Sequence, residues 1–397
     1  MRYIRYKIEK QQINFLNCNK IDEWIDTCHT RDTEFIDVCA SNCECGSTVG
    51  LPSGTGSTTG STTGSTTVGT IRTTVRGHLN YDTFLRNNDI EVTFDKLLID
   101  GVSFGTWITQ YFFRDEEIHT VDYFGLKYIG SFFIGSEIIT AVILDGLTTI
   151  GYAAFQDCRR LTSVTIPNSV TSIDNKSFYG CSSLKSITIP NNVTSIGTSA
   201  FTNCSSLTSV TIPESITSIS SESFKGCSGL TSVTIGSGVT SIDNSAFRDC
   251  SSLTSIYIPD SVTSIGFYAF DGCKSLSSVS IGNSVTYIFS YAFHSCTSLT
   301  SVKIPNSVTI IHNCAFDDCK SLTSVTIGNS VTSIGEYAFR SCTRLTSITC
   351  YATTAPTLSL DVFKQLQTNG ILHVPNGSDY SSWLSELPSG WTIEYLL

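Results

Sequence analysis

Residues 161–173 read LTSVTIPNSVTSI, and nearly the same thirteen residues return at 230–242 as LTSVTIGSGVTSI and at 322–334 as LTSVTIGNSVTSI. The stretch is part of a longer unit. Nine of the 16 cysteines, Cys158, Cys181, Cys204, Cys227, Cys250, Cys273, Cys296, Cys319 and Cys342, are spaced by 23 residues, and a leucine follows each by three places, from Leu161 to Leu345. A period held without insertion over nine copies is the signature of a repeat array, and those cysteines are repeat positions before they are a disulfide framework.

Counted from the cysteine, Val or Ile stands at place six and Ile at place eight, as in Val164 and Ile166, giving L-x-x-V-x-I. Alternating β-branched apolar residues read as a short strand. Pro or Gly comes next, as at Pro167 and Gly236, and turns the chain; V-T-S-I, as at Val170–Ile173, supplies a second extended piece. The unit closes on Ala-Phe or Ser-Phe, as at Ala200-Phe201 and Ser223-Phe224. Burying each inward apolar side chain contributes roughly 1.5–3 kcal/mol, provided that neighbouring turns cover it from both sides. One unit alone cannot do that, so the expected fold is a stack of turns with capped ends.

The L-x-x-V-x-I strand, with I-P-N-S-V-T-S-I-G and A-F-x-x-C around it, resembles the BspA-like branch of the leucine-rich repeat family over about residues 133–350. The expected class is therefore an α/β-type repeat solenoid, mostly β, with short parallel strands and a small β-rich module before it. The first unit is degenerate: Ile138, Ile143, Leu147, Ile150 and Phe155 keep the phase, while Gly135 replaces the cysteine. At the other end Cys350 takes the place of an isoleucine, and residues 351–397 resemble the family's C-terminal cap, with Trp383 and Trp391 sealing the last turn.

Ahead of the repeats, PSGTGSTTGSTTGSTT at 52–67 has the composition of a flexible linker. The division read from sequence is thus a cysteine-containing docking or anchoring segment at 1–51, a linker at 52–70, a β-rich module and N-terminal cap at 71–132, the solenoid at 133–350 and the cap at 351–397. A net charge of −10 with 15% charged residues leaves no basic field for nucleic acid. No apolar run reaches the 18 residues that a transmembrane helix needs, so no membrane insertion is expected, and Ile13, Phe15 and Leu16 are too interrupted for a secretory signal.

The chemistry-bearing residues have plain readings. The nine repeat cysteines are expected as a buried ladder of reduced thiols acting as small hydrophobes, since equivalent side chains point the same way and cannot all pair. Cys39, Cys43 and Cys45, with Cys28 and His29, lack the usual zinc spacing. Asp115, Glu116, Glu117 and His119 read as solvated loop charge, and the N-x-S/T sequons at Asn175, Asn192, Asn203 and Asn376 as chance. No motif couples a histidine to a nucleophile, so no enzyme, metal or cofactor is expected.

Outward strand positions are almost uniformly Ser and Thr, as at Ser163 and Thr165, with breaks at Tyr257 and Lys303. Variation gathers instead around the Ala-Phe turn, at Tyr268, Tyr291 and Tyr337. These five residues are the candidate ligand contacts. The resemblance implies a non-enzymatic, surface-displayed binding or adhesion protein whose partner is a protein or glycan on a host or other cell. A second reading makes it a virion component, a phage fibre or decoration protein docked to virion proteins through residues 1–50; a minor third is ice binding by the Ser-x-Thr rows.

Overall fold

The computed structural model describes residues 146–396 without a break. Before them it describes 128–131, 133–135 and the backbone of strands Arg5–Glu9, Gln12–Leu16, Cys39–Ala40, Glu44–Cys45, Val49–Gly50, Thr70–Arg76, Lys96–Ile99, Val102–Ser103, Ile118–Phe124 and Ile139–Leu144. Most of the linker, Cys28, His29, Cys43 and the acidic residues 115–117 lie outside the described residues.

The chain forms two compact units, residues 1–127 with 138–147, and residues 128–137 with 148–397. In the first, Thr70–Arg76 runs antiparallel between Ile139–Leu144 and Ile118–Phe124, and the latter pairs antiparallel with Lys96–Ile99. Near the N-terminus Cys39 stands opposite Cys45 across a two-stranded hairpin.

The second unit is a parallel solenoid, and its two strand ladders follow the two extended pieces of the repeat. In one, Ser301–Ile304, Ser324–Ile327 and Ser347–Cys350 pair in register and continue into Gly370–Pro375 and Trp391–Leu396. In the other, two-residue strands pair from Tyr128–Ile129 to Thr149–Ile150 and Ser172–Ile173, and later from Ser218–Ile219 onward to Thr357–Leu358. The turns therefore begin at Tyr128, before the 133 read from sequence, and run past 350. Turn 128–133 lacks the cysteine and leucine that mark the period, and the turn ending at Phe363 carries one extra residue.

Inside, eleven phenylalanines from Phe133 to Phe363 form one column, with nearly parallel rings whose centroids lie 5.2–6.0 Å apart. That spacing suits aromatic pairs, which add roughly 0.5–1.5 kcal/mol each beyond burial. Trp383, buried on the only described α-helix, Ser381–Glu386, lies 5.4 Å from Phe363 and closes the column, its Nε1 donating to the Pro356 carbonyl at 2.9 Å.

The cysteines do more than fill space. Each of the nine repeat thiols, Cys158 through Cys342, donates to the carbonyl of the phenylalanine that closes the turn before, at 2.9–3.3 Å, and none is in a disulfide. Burial pushes the thiols of Cys181, Cys204, Cys250, Cys296 and Cys342 far above their ordinary range. Because the thiolate is the reactive form, iodoacetamide is expected to leave the nine repeat cysteines unlabelled in the native protein and to label all nine in denaturant, as peptide mass spectrometry would show. Native labelling within the ladder would contradict the packing.

Threonines outside the core are staples too. Thr231, Thr254 and Thr323 donate to the carbonyl of the equivalent residue one turn earlier at 3.0–3.4 Å, and Thr240, Thr263 and Thr286 do the same beside the second ladder at 2.9–3.1 Å. The Ser/Thr composition thus ties successive turns together.

Candidate functional site

Each turn has two residues in the left-handed backbone region, at places eighteen and twenty-two from the cysteine. Place twenty-two holds Asp157, Gly180, Asn203, Gly226, Asp249, Gly272, Ser295, Asp318 and Ser341, most of them types that accept positive φ readily. Place eighteen holds Lys176, Ser199, Glu222, Ser245, Tyr268, Tyr291, Cys314 and Tyr337, all with φ between 56 and 62°, and no glycine. The geometry serves the stack: the N–H groups of Tyr268, Phe270 and Gly272, at places eighteen, twenty and twenty-two, donate to the next turn's carbonyls at Ser290, Ala292 and His294. The backbone demands the conformation, but nothing in it demands a bulky ring.

Three of the five candidate residues fall on this edge. Tyr268 and Tyr291 stack at 4.7 Å, while Tyr337 stands two turns further on. The Arg248 guanidinium lies 5.3 Å from the Tyr268 ring centroid and that of Arg340 lies 4.5 Å from the Tyr337 centroid, within the reach of cation–π attraction. The Tyr291 hydroxyl is pushed up to about 12, chiefly by its hydrogen bond with Cys314. Tyr257 and Lys303 lie elsewhere, on the outward row of the first strand ladder. Tyr257 is 61% exposed and pairs in register with Ser280, Lys303 with Thr326.

Sequence reading missed the charges beside the tyrosines. Place twenty-one of successive turns runs Arg248, Asp271, His294, Asp317, Arg340, alternating in sign along the stack. Arg248 Nε lies 3.0 Å from Asp271 Oδ2, His294 Nδ1 lies 2.7 Å from Asp271 Oδ1, and Arg340 grips Asp317 through both Nε and Nη2. The signal was available: opposite charges at a separation of 23 meet in adjacent turns, as opposite residues of a strand pair do.

Asp317 is 1% exposed and Arg340 is 37% exposed. Arg340→Ala is expected to lower the unfolding free energy by about 2–3 kcal/mol, less than the ~3–5 kcal/mol for a wholly buried pair because water already screens the arginine. Adding Asp317→Asn should restore most of that loss in urea titrations; an undiminished loss would place the effect in packing rather than charge.

His294 has its pKa raised, first by the hydrogen bond to Asp271 and further by the charges of Asp271, Asp317 and Asp318, against burial. Tyr291 and Ser295 also face its ring. A raised folded-state pKa means that the stabilisation is fully present below the unfolded value of about 6.5 and is lost as pH rises through the higher folded value. Stability measured from about pH 5 to about pH 9 should therefore fall across that window, and His294→Gln should flatten the decline. An unchanged slope in the variant would assign the pH dependence to other groups.

Beside these pairs lies a cleft of ≈ 270 Å³. His294, Asp317, Asp318 and Arg340 form one part of its lining, and Tyr337, Ser341, Lys364 and Gln365 the rest. Asp271, His294 and Ser295 stand in the order of an acid, an imidazole and a hydroxyl. However, Ser295 Oγ is 3.4 Å from His294 Nε2, outside the ~2.6–3.2 Å reach of an activating base, and it donates to Asp318. A separate aromatic cluster breaks the consensus nearby, with Phe289 within 5.0 Å of Phe267 and His312 by ring centroids and Tyr287 at 5.9 Å.

The repeat geometry agrees with the family comparison, in which the BspA type leucine-rich repeat region, in 6 copies, matches residues 127–254 and 240–369. The chain belongs to this BspA-type leucine-rich repeat family. Among solved structures, a leucine-rich repeat protein from Bacteroides ovatus ATCC 8483 is 25% identical over 72% of this chain and 90% of its own, with a TM-score of 0.48. A leucine-rich cell surface protein from Faecalibacterium prausnitzii A2-165 is 32% identical over 52% of this chain and 59% of its own, with a TM-score of 0.38. The leucine-rich repeat protein of T. pallidum is 29% identical over 52% and 83%, with a TM-score of 0.37. No curated protein matches. BspA-type solenoids are typically non-catalytic. Among the described residues of this BspA-type chain no helix is long and apolar enough to cross a membrane, and no cluster of three or more His, Cys, Asp or Glu is placed to hold a metal ion.

Proposed function

We propose that this chain is a non-enzymatic binding protein that is displayed at a cell surface and attaches to a protein or glycan of a host or neighbouring cell through the left-handed edge of its solenoid. The observation that carries the reading is the presence of Tyr268, Tyr291 and Tyr337 at left-handed positions where Ser199 and Ser245 serve the same backbone. Every non-glycine residue there bears roughly 1–2 kcal/mol of left-handed strain, serine as much as tyrosine, so the backbone itself gives no reason for a ring. The rings and the charge ladder lie side by side, so the edge offers both apolar contact and directional hydrogen bonds.

Protease shaving of intact cells, followed by mass spectrometry, tests the location. Release of peptides from residues 148–396 is the expected result. Recovery of the chain in stoichiometric amounts from purified virus particles of the same culture would replace cell-surface display with display on a virion, and recovery only from the cell interior would overturn both.

A further inference from the structure

We propose that the cleft over Asp317 and Arg340 is a subsite for a single neutral pyranose residue of a glycan. This rests on the binding reading above and names its chemistry.

The charges inside the cleft are already matched. Arg340 holds Asp317 through two nitrogens, Lys320 lies 3.0 Å from Asp318, and Lys364 lies 2.8 Å from Asp361. A phosphate or carboxylate ligand would meet Asp317 and Asp318 while finding Arg340 engaged. A metal cation would meet Arg340 and Lys364. A neutral ligand avoids both conflicts.

What remains unused is hydrogen-bonding capacity. Arginine has five N–H donors, of which the contact with Asp317 occupies two. Ser341 donates to Gln365 Oε1 at 2.7 Å, which leaves the Gln365 amide N–H groups to donate and the Ser341 oxygen to accept. With the Tyr337 hydroxyl, which does either, the cleft interleaves donors and acceptors. Sugar hydroxyls need that pattern, since each both gives and takes a hydrogen bond, and neighbouring hydroxyls on a ring match planar groups such as guanidinium and carboxamide. The Tyr337 ring carries the Arg340 guanidinium over one face at 4.5 Å, and its other face is the apolar surface offered to the C–H groups of the sugar.

Size sets the limit at one ring. The ≈ 270 Å³ cleft lies just below the ~300–1,000 Å³ typical of sites for drug-sized ligands. Neighbouring sugars would extend along the edge toward Tyr291 and Tyr268.

Saturation-transfer NMR on the full chain tests this, with the methyl glycosides of glucose, galactose, mannose and N-acetylglucosamine as probes at millimolar concentration. Transfer to the ring protons of at least one probe is expected. Ser341→Ala with Gln365→Ala, respectively half-buried and exposed at the rim of the cleft, should keep the melting temperature and weaken that probe about tenfold, the scale of one or two lost hydrogen bonds. Silence from all four probes, or equal binding by the double variant, would overturn the assignment. Attachment to cells with all four probes silent would sink the cleft alone, whereas probe binding without attachment to any cell would sink the surface-attachment reading and leave the subsite standing.

Discussion

Phe247→Ala is expected to lower the unfolding free energy by about 3–5 kcal/mol, the usual cost of emptying a buried aromatic site. Phe247 is fully buried between Phe224 at 5.5 Å and Phe270 at 5.4 Å, so the substitution opens a gap in the middle of the column and removes two stacking contacts. In a stack of turns each unit leans only on its neighbours. The two halves should therefore uncouple, and the unfolding of the solenoid should broaden or divide relative to the unsubstituted chain. Calorimetry with urea titration would measure both effects. A loss under about 1 kcal/mol with one sharp transition would mean that the rings are not the spine of the solenoid.

Trp383→Ala should cost a similar amount, about 3–5 kcal/mol, with a different distribution. The variant exposes the last ring of the column, Phe363, and leaves the Pro356 carbonyl without its indole donor. Tyr380, packed against Trp383 at 5.1 Å while donating to the Ala352 carbonyl, would lose its wall. Hydrogen exchange should rise over residues 343–396 and stay low around Phe247. A uniform rise would show that the cap acts on the whole stack rather than on its end.

The core was legible because every inward position recurs. Leu161, Val164, Ile166, Val170, Ile173 and Phe178 are apolar in one turn and again in the next, and all are buried. Turn 128–133 escaped because Tyr128–Ile129 and Phe133 carry the strand and the ring without the cysteine that sets the phase. The left-handed column at place eighteen was hidden for a different reason: it holds Lys, Ser, Glu, Tyr and Cys rather than glycine, so side-chain identity does not report the backbone. Tyr268, Tyr291 and Tyr337 stood out only as departures from a pattern. Their charged companions were overlooked because Asp271 and His294 look like isolated surface residues until the chain is folded at its period of 23.

The most direct test of the account is attachment of the fluorescently labelled chain to intact cells, measured by flow cytometry for two variants built from residues that the solenoid already accepts. One replaces Tyr268, Tyr291 and Tyr337 with serine, as at Ser199 and Ser245; the other replaces Tyr257 and Lys303 with threonine, as at Thr211 and Thr234. The first variant is expected to lose attachment and the second to keep it. Attachment of the serine variant at the level of the native chain would contradict the claim that the left-handed edge is the binding surface.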